Sequence, residues 1–202
     1  RSCAAIRADY PDLRVVPLHG DFTAPLTLEP GLRRRPLVGF FPGSTLGNFT
    51  TEQAIAFLRS ARTLLGPDAR FLLGVDMRKD AATLVAAYDD AGGVTAAFNL
   101  NLLARMRREL GCVIDIDAFA HRAIWNDADG RIEMHLVSRR DQRIVIGDRG
   151  FDMAAGETIH TENCHKFSLG DLNGLAARSG WTIRNVWTSD APSYALLMLD
   201  AV

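Results

Sequence analysis

An α/β fold carrying a mixed insertion is what the sequence predicts, on three observations. An apolar stretch at residues 37–41 runs into the Gly-rich turn Pro42-Gly43-Ser44-Thr45-Leu46-Gly47-Asn48, a periodic helix pattern starts near Thr51, and another apolar stretch follows at 70–75. Strand, helix and strand in that order imply parallel pairing through a right-handed crossover. Between about 120 and 146 the texture changes to short strands joined by turn-forming clusters, which are hairpin signals. A helix and a strand pair then close the chain, a known way to finish a largely parallel sheet.

In chain order, residues 1–10 have the character of the back half of a helix, broken by Pro11; with Arg1 rather than Met in first place, the expectation is part of a longer protein. Residues 13–18 are a β-branched run ending in His19-Gly20-Asp21-Phe22, a strand and its turn. Pro25, Pro30 and Pro36 mark 23–35 as loop, and 37–41 is expected to be a buried strand. Thr50 and Gln53 have capping-box spacing, ahead of a helix whose apolar face is Ala54, Phe57, Leu58, Ala61, Leu64 and Leu65 and which Gly66-Pro67 ends. The strand at 70–75 leads into Asp76-Met77-Arg78-Lys79-Asp80, with Asp80 placed to cap a helix through Tyr88.

A second helix is predicted over 95–110, with Leu103, Met106 and Leu110 at helical spacing and polar Asn99 and Asn101 in its first turns. Strands at 120–125, 131–137 and 143–146 are joined by Asn126-Asp127-Ala128-Asp129-Gly130 and Arg139-Arg140-Asp141-Gln142, and 158–167 is also extended. Residues 171–179 return to helix, stopped by Gly180, and strands at 182–187 and 194–199 flank Ser189-Asp190-Ala191-Pro192. The domain plan is a core over 1–77, an inserted domain over 78–166 and the rest of the core over 167–202.

Composition bounds the function. A formal net charge of -1 gives no electrostatic case for nucleic acid or a membrane surface, and no apolar run reaches the roughly 20 residues of a membrane-spanning helix. Cys3, Cys112 and Cys164 are far apart and odd in number, against a disulfide framework or a zinc site and in favour of a reducing cytoplasm.

The Gly43 to Asn48 turn lies where the carboxyl ends of α/β strands bind ligands, but it holds neither a dinucleotide fingerprint nor a P-loop. Asp21 and Phe22 after the first strand suit an exocyclic amine and a flat ring; equally, the aspartate suits a plain turn. Tyr88 and Met134 fit core positions by spacing. In His160-Thr161-Glu162-Asn163-Cys164-His165-Lys166-Phe167, strand alternation places His160, Glu162 and Cys164 on one face. A metal there would need further ligands that no spacing supplies, so no metal is expected; a wall reading a ligand by hydrogen bonds is the alternative.

Together these pieces resemble the histidine-specific, S-adenosylmethionine-dependent methyltransferases, which trimethylate the α-amino group of L-histidine to hercynine in ergothioneine biosynthesis. The resemblance runs nearly end to end and rests on His19-Gly20-Asp21-Phe22, the run from Phe40 to Asn48, Ala87-Tyr88-Asp89-Asp90 through Gly93-Val94-Thr95, Phe98-Asn99-Leu100-Asn101, Ile132-Glu133-Met134, Thr161-Glu162 and Lys166-Phe167. It implies a Rossmann-like class I methyltransferase core, partial because its first strands would precede residue 1, with an inserted mixed α+β substrate domain. It implies S-adenosylmethionine as methyl donor, its adenine held by Asp21 and Phe22. For the substrate it implies Gly43 and Asn48 at the amino and carboxylate groups, Tyr88 at the carboxylate, Met134 as a wall of the imidazole pocket and Glu162 at the imidazole N–H. Cys164 stands where the family usually has a serine hydroxyl, which keeps another small amine open as substrate. No general base is identified. The partner implied is a small amino acid; a non-catalytic binding or assembly module that kept the fold is the competing expectation. An incomplete sheet would expose a strand edge and favour association.

Overall fold

The computed structural model describes residues 2–32, 36–190 and 193–202. Arg1, the end of the 23–35 loop and the second half of the 189–192 turn lie outside the described residues. After helix α1 (Ser2–Asp9), the chain stays irregular until strand β1 (Val38–Phe41). Helix α2 (Thr51–Leu65) then crosses over to β2 (Arg70–Asp76), which pairs parallel with β1. The predicted capping box is formed: the Thr50 side chain accepts from Gln53 N, and Gln53 reaches back to Thr50 N. At the far end of the chain, α5 (Leu169–Ser179) precedes the antiparallel pair β8 (Trp181–Thr188) and β9 (Tyr194–Ala201). The sheet order is β1-β2-β9-β8, with β9 antiparallel to β2.

Alternation decides which face of this sheet is core. Phe71, Leu73 and Val75 on β2 stand directly opposite Leu199, Leu197 and Ala195 on β9 and are buried with Ile55 and Leu58 of α2 and Leu172 and Leu175 of α5. Trp181 closes this core, its indole N–H donating to the Leu58 carbonyl at 2.9 Å. Val38 and Phe40 point the other way and are 61% and 69% exposed, so the strand predicted as buried is buried on one face only. Among the described residues nothing covers that second face of β1.

A second sheet lies between the two halves of the first. Helices α3 (Ala81–Tyr88) and α4 (Val94–Leu110) lead to β3 (Phe119–Asn126) and β4 (Arg131–Ser138), joined as an antiparallel hairpin across 127–130. Then come β5 (Gln142–Ile146), β6 (Arg149–Met153) and β7 (Thr158–His165), the last pairing with β4 to give the order β3-β4-β7. Ala123 and Ile132 pack on Leu84 of α3, and Phe119 and Leu136 pack on Leu103 of α4. Asp80 caps α3 as expected, accepting from Thr83 N at 2.8 Å.

Two further sequence expectations are corrected. Residues 13–18 form no strand: they are largely exposed, and a strand needs a ladder partner that none of the described residues supplies. The 139–142 turn makes no hairpin, because β4 already has a neighbour on each side; β5 pairs instead with β6 through Gly147-Asp148. Gly147, at φ 60°, gives the Gly-first form of a two-residue hairpin turn, and β6 was not read from the sequence.

Gly74 in β2 fixes how closely the end of β1 approaches. A Cβ there would run into the Pro42 carbonyl, which also accepts from the Tyr194 hydroxyl. Gly74→Ala is therefore expected to cost about 2 kcal/mol of stability, the scale of overpacking in a tight core, and a urea-denaturation midpoint equal to that of the parent would contradict it.

Candidate functional site

The turn after β1 is built by three short-range requirements. Ser44 takes the left-handed conformation at φ 56°; its Oγ accepts from Asp76 N at 2.9 Å and its own N–H donates to the Gly74 carbonyl at 3.2 Å. A 3-10 turn, Thr45–Asn48, buries Leu46 completely. Gly47 lies against β7, where a Cβ would sit 2.8 Å from the His165 carbonyl and 3.1 Å from Cys164 Sγ. The His165 ring donates from Nδ1 to the Gly47 carbonyl at 2.9 Å. The turn is thereby tied to both sheets, and exposed Asn48 opens into a cavity of about 330 Å³ with His160, Thr161, Glu162 and Asn163.

A β-bulge arranges the β7 wall of that cavity. Met134 pairs with Glu162 but His135 pairs with His160, so Thr161 is the extra residue and its hydroxyl donates to the Met134 carbonyl at 3.0 Å. The predicted common face of His160, Glu162 and Cys164 is therefore broken. Glu162 and Cys164 stand opposite Met134 and Ile132 on the face covered by α3 and α4, whereas His160 stacks on His135 with ring centroids 4.6 Å apart. Half-buried Glu162 takes no side-chain hydrogen bond among the described residues. Burial pushes its carboxyl above the usual range, offset in part by the Lys166 charge. It also borders a second cavity of about 190 Å³, with Phe98, Asn99, Asn101, Leu102, Arg105 and Thr161.

Beneath the cavity lies a buried polar cluster that the sequence reading missed. The Lys166 side chain is wholly buried and donates to Asp76 Oδ2 at 2.8 Å, Tyr88 Oη at 2.8 Å and Cys164 Sγ at 3.2 Å. Tyr88 Oη in turn donates to Cys164 Sγ at 3.0 Å. Burial raises the Tyr88 phenol to about 12, so it stays protonated at neutral pH. Asp76 is held below the usual carboxylate range because bonds from Lys166 and Lys79 outweigh burial. The main chain sets this up: Phe167 N donates to the Asp76 carbonyl at 3.1 Å, which brings Lys166 beside the end of β2. A second relay steadies α3, as Asn99 Nδ2 donates to His121 Nδ1 at 3.0 Å and His121 Nε2 donates to the Tyr88 carbonyl at 2.7 Å. The one sequence cue was polar Asn99 early in an amphipathic helix.

Of the predicted site residues, Asn48 and Glu162 thus share one cavity. Met134 is 3% exposed and lies directly across from Glu162, in the core and not on an open wall. Tyr88 and Cys164 are bonded to each other below the cavity. Gly43 belongs to the same turn as Asn48 but does not line the cavity. Asp21 and Phe22 do not line this cavity; the Phe22 ring lies against Phe41 of β1, against Phe49 and against Phe57 of α2.

The sequence profile described as "Histidine-specific methyltransferase, SAM-dependent" matches residues 1–201. The chain belongs to this family. It is 42% identical over 195 residues to the histidine N-alpha-methyltransferase of Mycolicibacterium smegmatis and 41% identical over 197 residues to that of Mycobacterium tuberculosis, covering 96% of this chain in each case. It spans 60% and 61% of the length of those two relatives. Among solved structures, the CcbJ methyltransferase from Streptomyces caelestis aligns with a TM-score of 0.49 at 16% identity, over 99% of this chain and 70% of that one. The β1–α2–β2 crossover and the closing antiparallel pair are the Rossmann-like methyltransferase core expected for the family.

Family membership implies a sulfonium methyl donor, and the described residues fit its adenine end. The Asp21 carboxyl is exposed and held below its usual range by the Thr23 hydroxyl and N–H, both of which bond Oδ1, leaving Oδ2 for an exocyclic amine. Phe22 is 46% exposed, its ring 5.8 Å from Phe41 and 6.1 Å from Phe57 by centroid, at the mouth of an apolar cavity of about 190 Å³. The turn reading of Asp21 and the ligand reading are thus compatible, since they use different oxygens.

Proposed function

We propose that this protein is an S-adenosylmethionine-dependent N-methyltransferase acting on the α-amino group of L-histidine or a closely related amino acid. The observation that carries the reading is the shared cavity. Asn48, on a turn fixed to the core sheet, and Glu162, on the inserted sheet, line one space of about 330 Å³. A half-buried carboxylate without a hydrogen-bond partner suits a ligand N–H, and an amide at the other end suits an amine. In this reading residues 78–166 act as the substrate domain, inserted into a core made by 1–77 and 167–202.

When bound, the donor supplies an electrophilic methyl group, and the protein supplies position and exclusion of water. An ammonium has no lone pair, so the amine must be neutral when it attacks. Asn48 orients that amine by accepting from it and takes no proton itself. Glu162 accepts from the imidazole N–H and fixes the ring. Tyr88 and Cys164, held by Lys166, form the floor under Glu162, and Met134 backs it across the strand pair. Asp21 and Phe22 receive the adenine edge of the donor.

Two measurements test this. The protein extended to the length of its mycobacterial relatives, assayed by mass spectrometry with S-adenosylmethionine and a panel of amino acids, is expected to methylate histidine first; preference for another amine would replace the substrate, and no methylation at all would favour a non-catalytic module. Residues 1–202 alone are expected not to bind the donor, so micromolar S-adenosylmethionine binding in calorimetry would overturn the view that they hold only part of its site.

A further inference from the structure

The face of the second sheet turned away from α3 and α4 carries a cluster to which the proposed methyl transfer gives no role, although His160 also lines the cavity beside Asn48. Glu133, His135 and His160 each place a potential ligand atom within 4.8 Å of the other two. Glu133 and His135 are 7% and 8% exposed, although they alternate along β4 with the apolar Ile132, Met134 and Leu136. His160 reaches them from β7 only because of the bulge at Thr161. The sequence offered no such set, because ligands on two strands with an irregular register leave no recognisable spacing.

The hydrogen bonds around the cluster leave lone pairs facing inward and unsatisfied. The Glu162 carbonyl can only accept, so His160 donates to it from Nε2 at 3.1 Å, and the neutral ring keeps Nδ1 as a free lone pair. His135 Nε2 lies 3.1 Å from Glu133 Oε2, while His135 Nδ1 is buried with no partner. Asn163, directly opposite Glu133 on the neighbouring strand, has a buried Oδ1 that is also without a partner. Glu133 Oε1 is fixed by Asn126 Nδ2 at 2.9 Å and by Arg131 Nη2 at 2.7 Å, which orients Oε2 toward the imidazoles. A buried polar atom without a partner is costly, as His135 Nδ1 and the neighbouring strand's Asn163 Oδ1 are here, and a cation held by the three clustered side chains would relieve that cost. Two imidazoles and a carboxylate are the donor set of borderline divalent transition metals, not of magnesium or calcium.

We propose that Glu133, His135 and His160 bind a divalent transition-metal ion of the zinc type, with Asn163 beside it, at a site that adjoins the Asn48–Glu162 cavity through His160 and Asn163 and takes no step in methyl transfer. The ion clamps β4 to β7 across the bulge that sets the orientation of Glu162. A carbonyl on the far side of a ligating imidazole, as the Glu162 carbonyl is for His160, is a usual means of fixing ring orientation in such sites.

Calorimetric titration of zinc(II) into the chelator-treated chain tests this without any activity assay. One ion per chain at micromolar affinity or tighter is expected, with a rise in the thermal midpoint on saturation. His160→Ala, at an exposed position where folding is not at stake, is expected to weaken binding at least about tenfold and abolish the thermal shift, on the scale of losing a metal-site group. His19→Ala, remote from the cluster, is expected to change neither. No saturable binding, or equal binding by the parent and His160→Ala, overturns the proposal.

Discussion

Replacing Lys166 with methionine is expected to destabilise the fold by about 3 kcal/mol, the scale of removing one partner from a buried ion pair. The methionine stem fills the same channel, so the loss is electrostatic and not a cavity effect. Lys166 is fully buried, and its charge neutralises Asp76 while its protons satisfy Tyr88 Oη and Cys164 Sγ. Asp76 keeps Lys79 as a partner, which limits the damage. The companion double variant, Lys166→Met with Asp76→Asn, is expected to recover part of the loss because no uncompensated carboxylate remains. The sign of the pH dependence follows from the shifts. Burial lowers Lys166, but its electrostatic interactions with Cys164, Asp76 and Tyr88 outweigh that and raise it above its ordinary 10.5, so its contribution is complete below 10.5 and is lost as pH rises through the folded value. Asp76 is lowered from 3.8, so its share is complete above 3.8 and is lost as pH falls. The gap between parent and variant in urea denaturation should therefore be flat from neutral pH to about pH 9 and narrow only in stronger alkali. A variant as stable as the parent would mean that the cluster contributes specificity without stability.

Glu162→Ala in the longer protein is expected to raise the KM for histidine about 30- to 150-fold, from the loss of a charged hydrogen bond of about 2–3 kcal/mol. The kcat should change far less, because the carboxylate holds the ring end of the substrate and not the reacting amine. Glu162→Gln keeps an acceptor oxygen and should fall between the two. The double split matters more than the size of the effect: a drop in kcat with KM untouched would place Glu162 at the amine, and no change in either would place the substrate outside both cavities that Glu162 borders.

The elements that sequence made legible are those governed by local rules. Capping at Thr50 and Asp80, the apolar stripe of α2 and the strand–turn–helix around Gly43 to Asn48 each follow from a few neighbouring residues, and all three formed as expected. Asn48 and Glu162 were also readable as candidates, the first from topology and the second from its resemblance to a family motif. What local rules do not carry was missed. Lys166 looked like one more polar residue of a strand, because nothing in its surroundings in sequence announces Asp76 and Tyr88 as partners 90 and 78 positions away. The exposure of Val38 and Phe40 depends on what lies beside β1, which no property of 37–41 itself decides. The grouping of Glu133, His135 and His160 depends on a register shift that alternation alone would have ruled out.

That register shift also bears on how residues are matched between relatives. The extra amino acid at Thr161 lets His160 face His135 although it lies two positions from Glu162, so a relative without it would keep the residues aligned with His160 and Glu162 on the faces they take here, in an unbroken ladder. Deleting Thr161 from this chain is a direct probe: the strand is expected to lose its bulge and keep His160 opposite His135 and Glu162 opposite Met134. A single codon can thus be gained or lost at this point of the wall without changing which side its neighbours address, provided the gain is absorbed as a bulge.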